Sequence, residues 1–152
     1  MSTPPTSTGR RAPQRLEHMM CFDLYAANNA FGRVYTPLLE PLGLTYPQYL
    51  VMVTLWAETP LTVGQIGQRL GLDSNTLTPV LKRLEGRGLL QRLRDSTDER
   101  RVSVGLTAAG RAQQEQAAHV PDCAAAATGL SLSELHNLQV QLRKLRLGLT
   151  QT

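Results

Sequence analysis

The sequence has few of the residues that build disulfide scaffolds and metal sites. Its 152 residues include two cysteines, Cys21 and Cys123, which are too few for a disulfide scaffold or for a zinc site with four cysteine ligands. The three histidines, His18, His119 and His136, have no metal-ligand spacing with each other or with the cysteines. The sequence also has no glycine-rich phosphate loop and no recognisable Ser/His/Asp arrangement. We therefore predict that the protein uses no metal and no cofactor.

Long apolar runs are also missing. No run approaches the roughly 18 apolar residues that a membrane span needs. The N-terminal residues lack the apolar segment of a secretory signal. These absences favour a cytoplasmic protein without a membrane partner, in which cysteines are reduced by default.

The composition predicts one folded domain. The length is close to the roughly 150 residues of a single domain, and a hydrophobic content of 41% can supply a core. Residues 1–14 are rich in proline, serine and threonine and show no apolar periodicity, so we expect a flexible tail there. Residues 15–150 form the predicted domain.

Apolar spacing predicts a mainly helical chain. A first helix is expected over 16–39, ended by Pro37 and Pro41, and further helices over about 46–60 and 107–118. Such helices bury one apolar face against the rest of the domain. Five leucines near the end step by three or four residues, as in a coiled-coil seam: Leu135, Leu138, Leu142, Leu145 and Leu149. This seam requires a partner helix, from the same chain or from a second copy.

A helix-turn-helix motif is predicted in the middle of the chain. Two apolar stripes at helical spacing, 63–70 and 77–84, are separated by Gly71. Either Asp73 or Ser74 can cap the second helix. The second helix of such a motif is the one that enters the major groove of DNA.

A hairpin with a projecting loop follows this motif. Residues 102–106 alternate between apolar and polar side chains, and 89–93 can supply the antiparallel partner strand. The polar stretch 94–101 is longer than a two-residue turn and is expected to project. Together these elements predict a winged helix-turn-helix, with a DNA-binding core over about 46–107.

Positive charge is concentrated on this unit. Of the net charge of +4, a surplus of three falls within 82–101, which holds seven basic and four acidic residues. A solvated charged face is the alternative interpretation. Short polar side chains at the start of a recognition helix can reach bases and phosphates, and arginines on a projecting loop suit the minor groove. We therefore predict double-stranded DNA as the partner, bound by Ser74, Asn75, Thr76, Thr78, Lys82, Arg83, Arg100 and Arg101.

The wing sequence carries a family resemblance. The pattern D-x-R-x5-L-T at 98–107 resembles the signature of the MarR family of transcription regulators. Within that family, 44–56 and 72–90 resemble the sensors of organic hydroperoxides, and the resemblance covers about 15–150. It implies a symmetric homodimer built from the terminal helices. It also implies a repressor that binds a pseudo-palindromic operator and releases it on oxidation.

Cys21 is the candidate reactive residue. On its own it has apolar neighbours, where a cysteine is usually an inert small hydrophobe. We also expect it well past the first turn of its helix, where the helix dipole contributes little. The resemblance implies instead that Cys21 reacts with peroxide, that Tyr35 and Tyr46 hydrogen-bond its sulfur, and that Tyr25 comes from the other subunit. Without the resemblance, the three tyrosines are more typical of core filling.

Cys123 is the candidate resolving residue. Its alanine-rich surroundings are typical of a small packing residue. A sulfenic acid on Cys21 can condense with a nearby thiol to form a disulfide. The two-cysteine branch of the sensors implies that Cys123 of the other subunit supplies that thiol. In the one-cysteine branch, a small cellular thiol caps the reactive cysteine instead.

Two further functions are open on the sequence. A MarR-like repressor released by a small apolar or phenolic ligand would use Cys21 only to line its pocket. A thiol peroxidase would use Cys21 and Cys123 catalytically, but that role leaves the helix-turn-helix and the wing unexplained. We therefore expect a regulator and not an enzyme.

Overall fold

The computed structural model describes residues 14–98 and 100–151, and within them it confirms a mainly helical fold with a small antiparallel sheet. The helices are α1 (Met20–Leu39), α2 (Tyr46–Ala57), α3 (Val63–Leu70), α4 (Ser74–Gly86), α5 (Ala108–Ala117), α6 (Val120–Ala127) and α7 (Leu132–Thr150). The strands are β1 (Leu61–Thr62), β2 (Leu90–Arg94) and β3 (Val102–Leu106). Short 3-10 helices cover Leu16–His18 and Glu40–Leu42. The predicted flexible tail lies outside the described residues, apart from Gln14.

The core lies where α2, α3, α4 and the sheet meet. The side chains that are 2% exposed or less include Val51, Met52, Leu55, Leu61, Ile66, Leu77, Leu81, Leu84 and Val104. Except for Leu61 on the two-residue β1, these side chains come from helices or strands that bury one face. This core fixes the orientation of α4 relative to the hairpin.

The helix-turn-helix is built by local backbone chemistry. Gly71 ends α3 with a positive φ of 67°, which favours glycine. The carboxylate of Asp73 then accepts a 2.7 Å hydrogen bond from the N–H of Thr76, so Asp73 is the N-cap of α4. Helix α4 continues through Pro79 to Gly86. The predicted motif is confirmed, with the cap assigned to Asp73.

The predicted hairpin is also confirmed. Strands β2 and β3 pair antiparallel, with Leu90 opposite Leu106 and Arg94 opposite Val102. The strand order is β1-β3-β2. The sequence reading missed β1, because two residues are too few to show alternation.

The start of α1 differs from the prediction. The residues 16–18 form a separate 3-10 turn, and Met19 is extended, with φ −104° and ψ 103°. Helix α1 therefore begins at Met20, and Cys21 lies in its first turn. The expectation that Cys21 lies well past the first turn is wrong.

The end of α1 also differs. Pro37 was expected to end the helix but lies inside its last turn, and α1 stops at Leu39. A 3-10 turn follows, and Gly43 closes it with a φ of 62°. The segment 40–45 is therefore the connection between α1 and α2.

The terminal helices expose apolar surface. No described residue of α7 is buried, and Leu138 and Leu142 are 44% and 40% exposed. Leu39 is the buried residue of α1. A groove of about 690 Å³ runs between α1 and α7, and its apolar lining includes Leu24, Leu138, Leu142 and Leu145. Over the described residues, no helix is long and apolar enough to cross a membrane.

Candidate functional site

The exposed face of α4 carries the predicted DNA-binding side chains. Ser74, Asn75 and Thr76 form its first turn and are exposed, and Lys82 is exposed two turns later. At 100° per residue, Asn75 and Lys82 lie opposite the leucines that α4 buries. A helix with one buried face and one polar exposed face can lie in the major groove.

One hydroxyl group and one carboxylate group at the start of α4 have structural roles. The Thr78 hydroxyl donates a 2.7 Å hydrogen bond to the carbonyl of Ser74. Hydrogen bonds from the backbone and side chain of Thr76 hold the pKa of Asp73 below its usual value. The cap is therefore a carboxylate at neutral pH, which suits the positive end of the helix dipole.

The hairpin loop is folded by its own acidic residues. The Asp98 carboxylate accepts a 3.0 Å hydrogen bond from the N–H of Arg100, and the Asp98 carbonyl accepts one of 2.9 Å from the N–H of Arg101. Asp95 is bound to Thr97 in the same loop, and these hydrogen bonds lower its pKa. Both arginines are exposed. Asp98 of the signature therefore shapes the turn that presents the Arg100 and Arg101 side chains.

Two of the seven basic residues within 82–101 bind other groups of the same chain. Arg92 forms an ion pair with Glu85 at 3.2 Å. Arg87 directs its guanidinium to the connection between α1 and α2, where it donates to the carbonyls of Leu42 and Gly43. Both arginines are exposed but already have partners within the chain, so we expect the basic surface to depend mainly on the remaining five.

A buried glutamine holds the same connection. The side-chain amide of Gln113, on α5, donates a 2.9 Å hydrogen bond to the carbonyl of Leu42. Its other atom, Oε1, has no partner within the described part of the chain. Sequence reasoning missed both Gln113 and the role of Arg87, because a lone contact to a distant backbone carbonyl leaves no periodic signal.

Cys21 is exposed at the start of α1, and Tyr25 lies one helical turn later on the same helix. Tyr25 is 65% exposed. Cys21 is thus open to a reactant, and its place in the first turn brings it close to the unpaired N–H groups of the helix.

The other two candidate tyrosines, Tyr35 on α1 and Tyr46 at the start of α2, lie near the opposite end of α1. Tyr35 follows Cys21 by fourteen residues on one continuous helix, which separates them by about 21 Å. The rings of Tyr35 and Tyr46 are 4.6 Å apart between centroids, and Tyr49 lies 6.0 Å from Tyr35. Tyr35 and Tyr46 therefore do not reach the sulfur of Cys21 within one chain, which corrects a contact inside one subunit. The origin of the Tyr25 that lies at each sulfur stays a prediction. Within one chain, Cys21 has Tyr25 near it and not the Tyr35–Tyr46 pair.

The tyrosine pair borders an open cleft. Burial raises the pKa of Tyr35 above its usual value, and the neighbouring Tyr46 and Tyr49 raise it further. The phenol therefore stays protonated at neutral pH and keeps its O–H for donation. The cleft measures about 430 Å³ and is also lined by Gly32 and Thr36. The arrangement can donate hydrogen bonds to an anion that enters from outside the chain.

Cys123 lies on a different helix from Cys21. It is exposed on α6 and is a free thiol, as is Cys21. Helix α6 packs against α1, and Ala124 and Ala127 line a cleft with residues 27–34 of α1. Within the described ranges, no group of three or more His, Cys, Asp or Glu side chains could hold a metal.

Comparison with known proteins identifies the family. The model of the MarR family matches residues 44–102. The transcriptional regulator TtmR of Methylorubrum extorquens is 48% identical over 141 residues, which cover 93% of this chain and 72% of TtmR. The chain belongs to the MarR family. The organic hydroperoxide resistance transcriptional regulator of Bacillus subtilis is 47% identical over 107 residues, which cover 70% of this MarR-family chain and 73% of the Bacillus regulator.

Solved structures agree with this assignment. A structure of reduced AbfR bound to DNA matches with a TM-score of 0.74 and 38% identity, covering 90% of this MarR-family chain and 95% of AbfR. A structure of disulfide-formed AbfR matches with a TM-score of 0.60 and 39% identity, and the match covers 86% of this chain and 92% of that AbfR chain. AbfR comes from Staphylococcus epidermidis. The protein is therefore a MarR-type transcriptional regulator with a winged-helix fold, and its relatives are regulators and not enzymes.

Proposed function

We propose that this MarR-family regulator represses transcription while Cys21 is reduced and releases its operator when an organic hydroperoxide oxidises Cys21. The observation that carries the proposal is the exposed cysteine in the first turn of α1, with a tyrosine pair about 21 Å away at the other end of that helix. The similarity to a hydroperoxide resistance regulator supports the choice of reactant.

The reactive site is completed by a second copy of the chain. The apolar faces of α1 and α7 lie open along a groove of about 690 Å³, and such faces are buried when subunits associate. A two-fold axis across the middle of α1 places the helices antiparallel. The start of one α1, with Cys21, then lies beside the end of the other, with Tyr35 and Tyr46 of the second copy. Each dimer has two such sites.

The chemistry follows from this arrangement. The phenol O–H groups of the second copy can donate hydrogen bonds to the sulfur of Cys21, which lies at the N-terminal end of α1. The thiolate attacks an oxygen of the hydroperoxide, the O–O bond breaks, and the alkoxide takes a proton to leave as an alcohol. Cys21 becomes a sulfenic acid. The thiol of Cys123 from the second copy then displaces hydroxide, so that a disulfide forms and water leaves.

Oxidation acts on DNA binding through the dimer. The two α4 helices read half-sites about one DNA turn apart, roughly 34 Å. A disulfide requires sulfur atoms about 2 Å apart, so its formation fixes the relative position of α1 and α6 across the interface. The separation of the α4 helices changes with it, and both can no longer contact their half-sites.

The test is an operator-release titration. A DNA duplex that binds the reduced protein is first selected from a random library. The wild type, Cys21→Ser and Cys123→Ser are then each treated with cumene hydroperoxide and titrated against this duplex. Wild type is expected to release the duplex, and Cys21→Ser to keep it. Release by Cys21→Ser would rule out the sensor, and release only by an added phenolic compound would favour the ligand-responsive alternative.

A non-reducing gel tests the resolving step. Wild type treated with peroxide is expected to move from the monomer to the dimer position, and both cysteine variants to stay as monomers. A Cys123→Ser variant that still forms the covalent dimer would exclude Cys123 as the resolving residue. Mass spectrometry of Cys123→Ser with added small thiol shows whether a mixed disulfide forms on Cys21 instead.

A further inference from the structure

Arg87 joins the end of the recognition helix to the connection between α1 and α2. It is the C-cap residue of α4, and its guanidinium donates to the carbonyl oxygens of Leu42, at 3.1 Å, and of Gly43. The partners are more than forty residues apart in sequence. One side chain therefore ties the DNA-reading element to a segment that contains none of the DNA-facing residues.

The site is shaped for a guanidinium. Two adjacent carbonyls at the end of a helical segment carry partial negative charge, and the planar fork of arginine can donate to both at once. A Cβ added to Gly43 would lie 2.7 Å from Nη2 of Arg87, and Gly43 also has a φ of 62°. The positive φ favours glycine at position 43, and a side chain there would also displace the guanidinium of Arg87.

The connection that Arg87 holds lies directly between the two tyrosines. Tyr35 is in the last turns of α1 and Tyr46 is the first residue of α2, with rings 4.6 Å apart. The 40–45 connection joins the two helices that carry this pair, so a displacement of either helix end at the pair would move the connection. The side-chain amide of Gln113, on α5, donates to the same Leu42 carbonyl, so hydrogen bonds from both α4 and α5 hold the connection in place.

We propose that Arg87 is a positioning residue that transmits displacement of the tyrosine pair to α4, and so couples the redox site to the DNA-binding surface. This proposal rests on the proposed function in one respect, which is that oxidation of Cys21 is the event that displaces the tyrosine pair. Arg87 contacts neither thiol and contributes through the position of the 40–45 connection.

Coupling is reciprocal, so it can be measured without peroxide. DNA bound to α4 must stabilise the 40–45 connection by the same factor by which that connection affects DNA binding. We would measure amide hydrogen exchange of residues 40–49 in reduced protein, with and without the selected duplex. In wild type, DNA is expected to slow this exchange by about fivefold or more, the lower end of typical coupling.

The variants are Arg87→Gln and the matched control Arg92→Gln. Each removes one positive charge from the same helix-and-wing unit, but Arg92 is paired with Glu85 and does not touch the connection. Arg92→Gln is expected to retain the DNA-linked protection of 40–49, and Arg87→Gln to lose most of it. Equal protection in Arg87→Gln and wild type overturns the proposal.

A second variant and a second readout separate the two proposals. If Arg87→Gln does not fold, Arg87→Lys replaces it, because the point-like ammonium of lysine keeps the charge and loses the fork. The ratio of duplex Kd after and before peroxide is then compared between Arg87 and Arg92 variants, and a smaller ratio in the Arg87 variant supports coupling. A wild-type ratio of one contradicts the redox function, while the exchange experiment still decides the role of Arg87.

Discussion

At the scale of single residues, the hydroxyl of Tyr35 is expected to control the reactivity of Cys21. Tyr35→Phe keeps the ring packing against Tyr46 and removes the hydrogen bond that we propose to the Cys21 sulfur of the second copy. A hydrogen bond to a charged group contributes about 1.5–3 kcal/mol, so Cys21 oxidation should slow by about tenfold or more. Stopped-flow oxidation by cumene hydroperoxide measures the rate.

The matched control for this prediction is Tyr49→Phe. Tyr49 lies 6.0 Å from Tyr35 in the same aromatic group, but its side chain is buried at the core. Its hydroxyl should not reach a thiolate that approaches from another subunit. Equal slowing by both variants would indicate a packing effect and contradict the role of Tyr35.

Arg100 on the hairpin loop is expected to bind DNA by charge. Arg100→Ala removes an exposed cation that Asp98 positions through the loop backbone. If the proposed dimer places both Arg100 side chains on phosphates, binding should weaken on every sequence and the slope of log K against log salt should fall by about two. Fluorescence anisotropy at several salt concentrations measures both quantities. An unchanged slope, or the same effect in the α5 control Arg111→Ala, would exclude a contact by Arg100.

The residue-scale predictions from sequence were uneven for physical reasons. The polar residues at the start of α4 were found because helix periodicity separates them from the buried leucines. The separation of Cys21 from Tyr35 was not predicted, because it depends on α1 being one continuous helix, in which fourteen residues span about 21 Å. The roles of Arg87 and Gln113 could not be predicted, because their partners are backbone carbonyls that any residue would present.

At the scale of elements, α4 depends on its N-cap. Asp73→Ala leaves the N–H of Thr76 without its acceptor and should lower the Tm, whereas Asp73→Asn should retain most of the stability. The folded-state pKa of Asp73 is lowered, so its stabilising effect is present above the ordinary carboxyl pKa and is lost as pH falls through the folded value. The stability difference between wild type and Asp73→Ala should therefore shrink in acid.

Circular dichroism melts at pH 7 and at progressively lower pH measure this effect. Asp73→Asn serves as the control, because an amide caps the helix without titrating. A stability difference between wild type and Asp73→Ala that stays constant down to the lowest pH at which both fold would contradict the role of the carboxylate.

Element boundaries were predicted well where glycine or a capping residue interrupts the pattern. Gly71 and Asp73 define the turn before α4. The start of α1 was missed, because the break occurs at Met19, whose side chain gives no signal for an extended backbone. That one break moves Cys21 from the body of a helix to its first turn.

At the scale of the whole molecule, the leucine face of α7 is expected to hold the dimer. Leu142 lines the groove with α1, whereas Leu147 lies on the opposite side of α7 and is 58% exposed. Leu142→Glu should convert the protein to a monomer and abolish tight operator binding, because one subunit reads one half-site. Leu147→Glu should leave the dimer intact. Analytical ultracentrifugation distinguishes the two, and a dimeric Leu142→Glu would contradict this interface.

The length of α1 makes the two halves of each proposed site separable between subunits. In a mixed dimer of one Cys21→Ser subunit and one subunit with Tyr35→Phe and Tyr46→Phe, both defects meet in one site and the other site is wild type. Two impaired proteins should therefore complement each other, and the single remaining Cys21 should react at the wild-type rate. If tyrosines served the cysteine of their own chain, that same thiol would react as slowly as in the tyrosine variant alone.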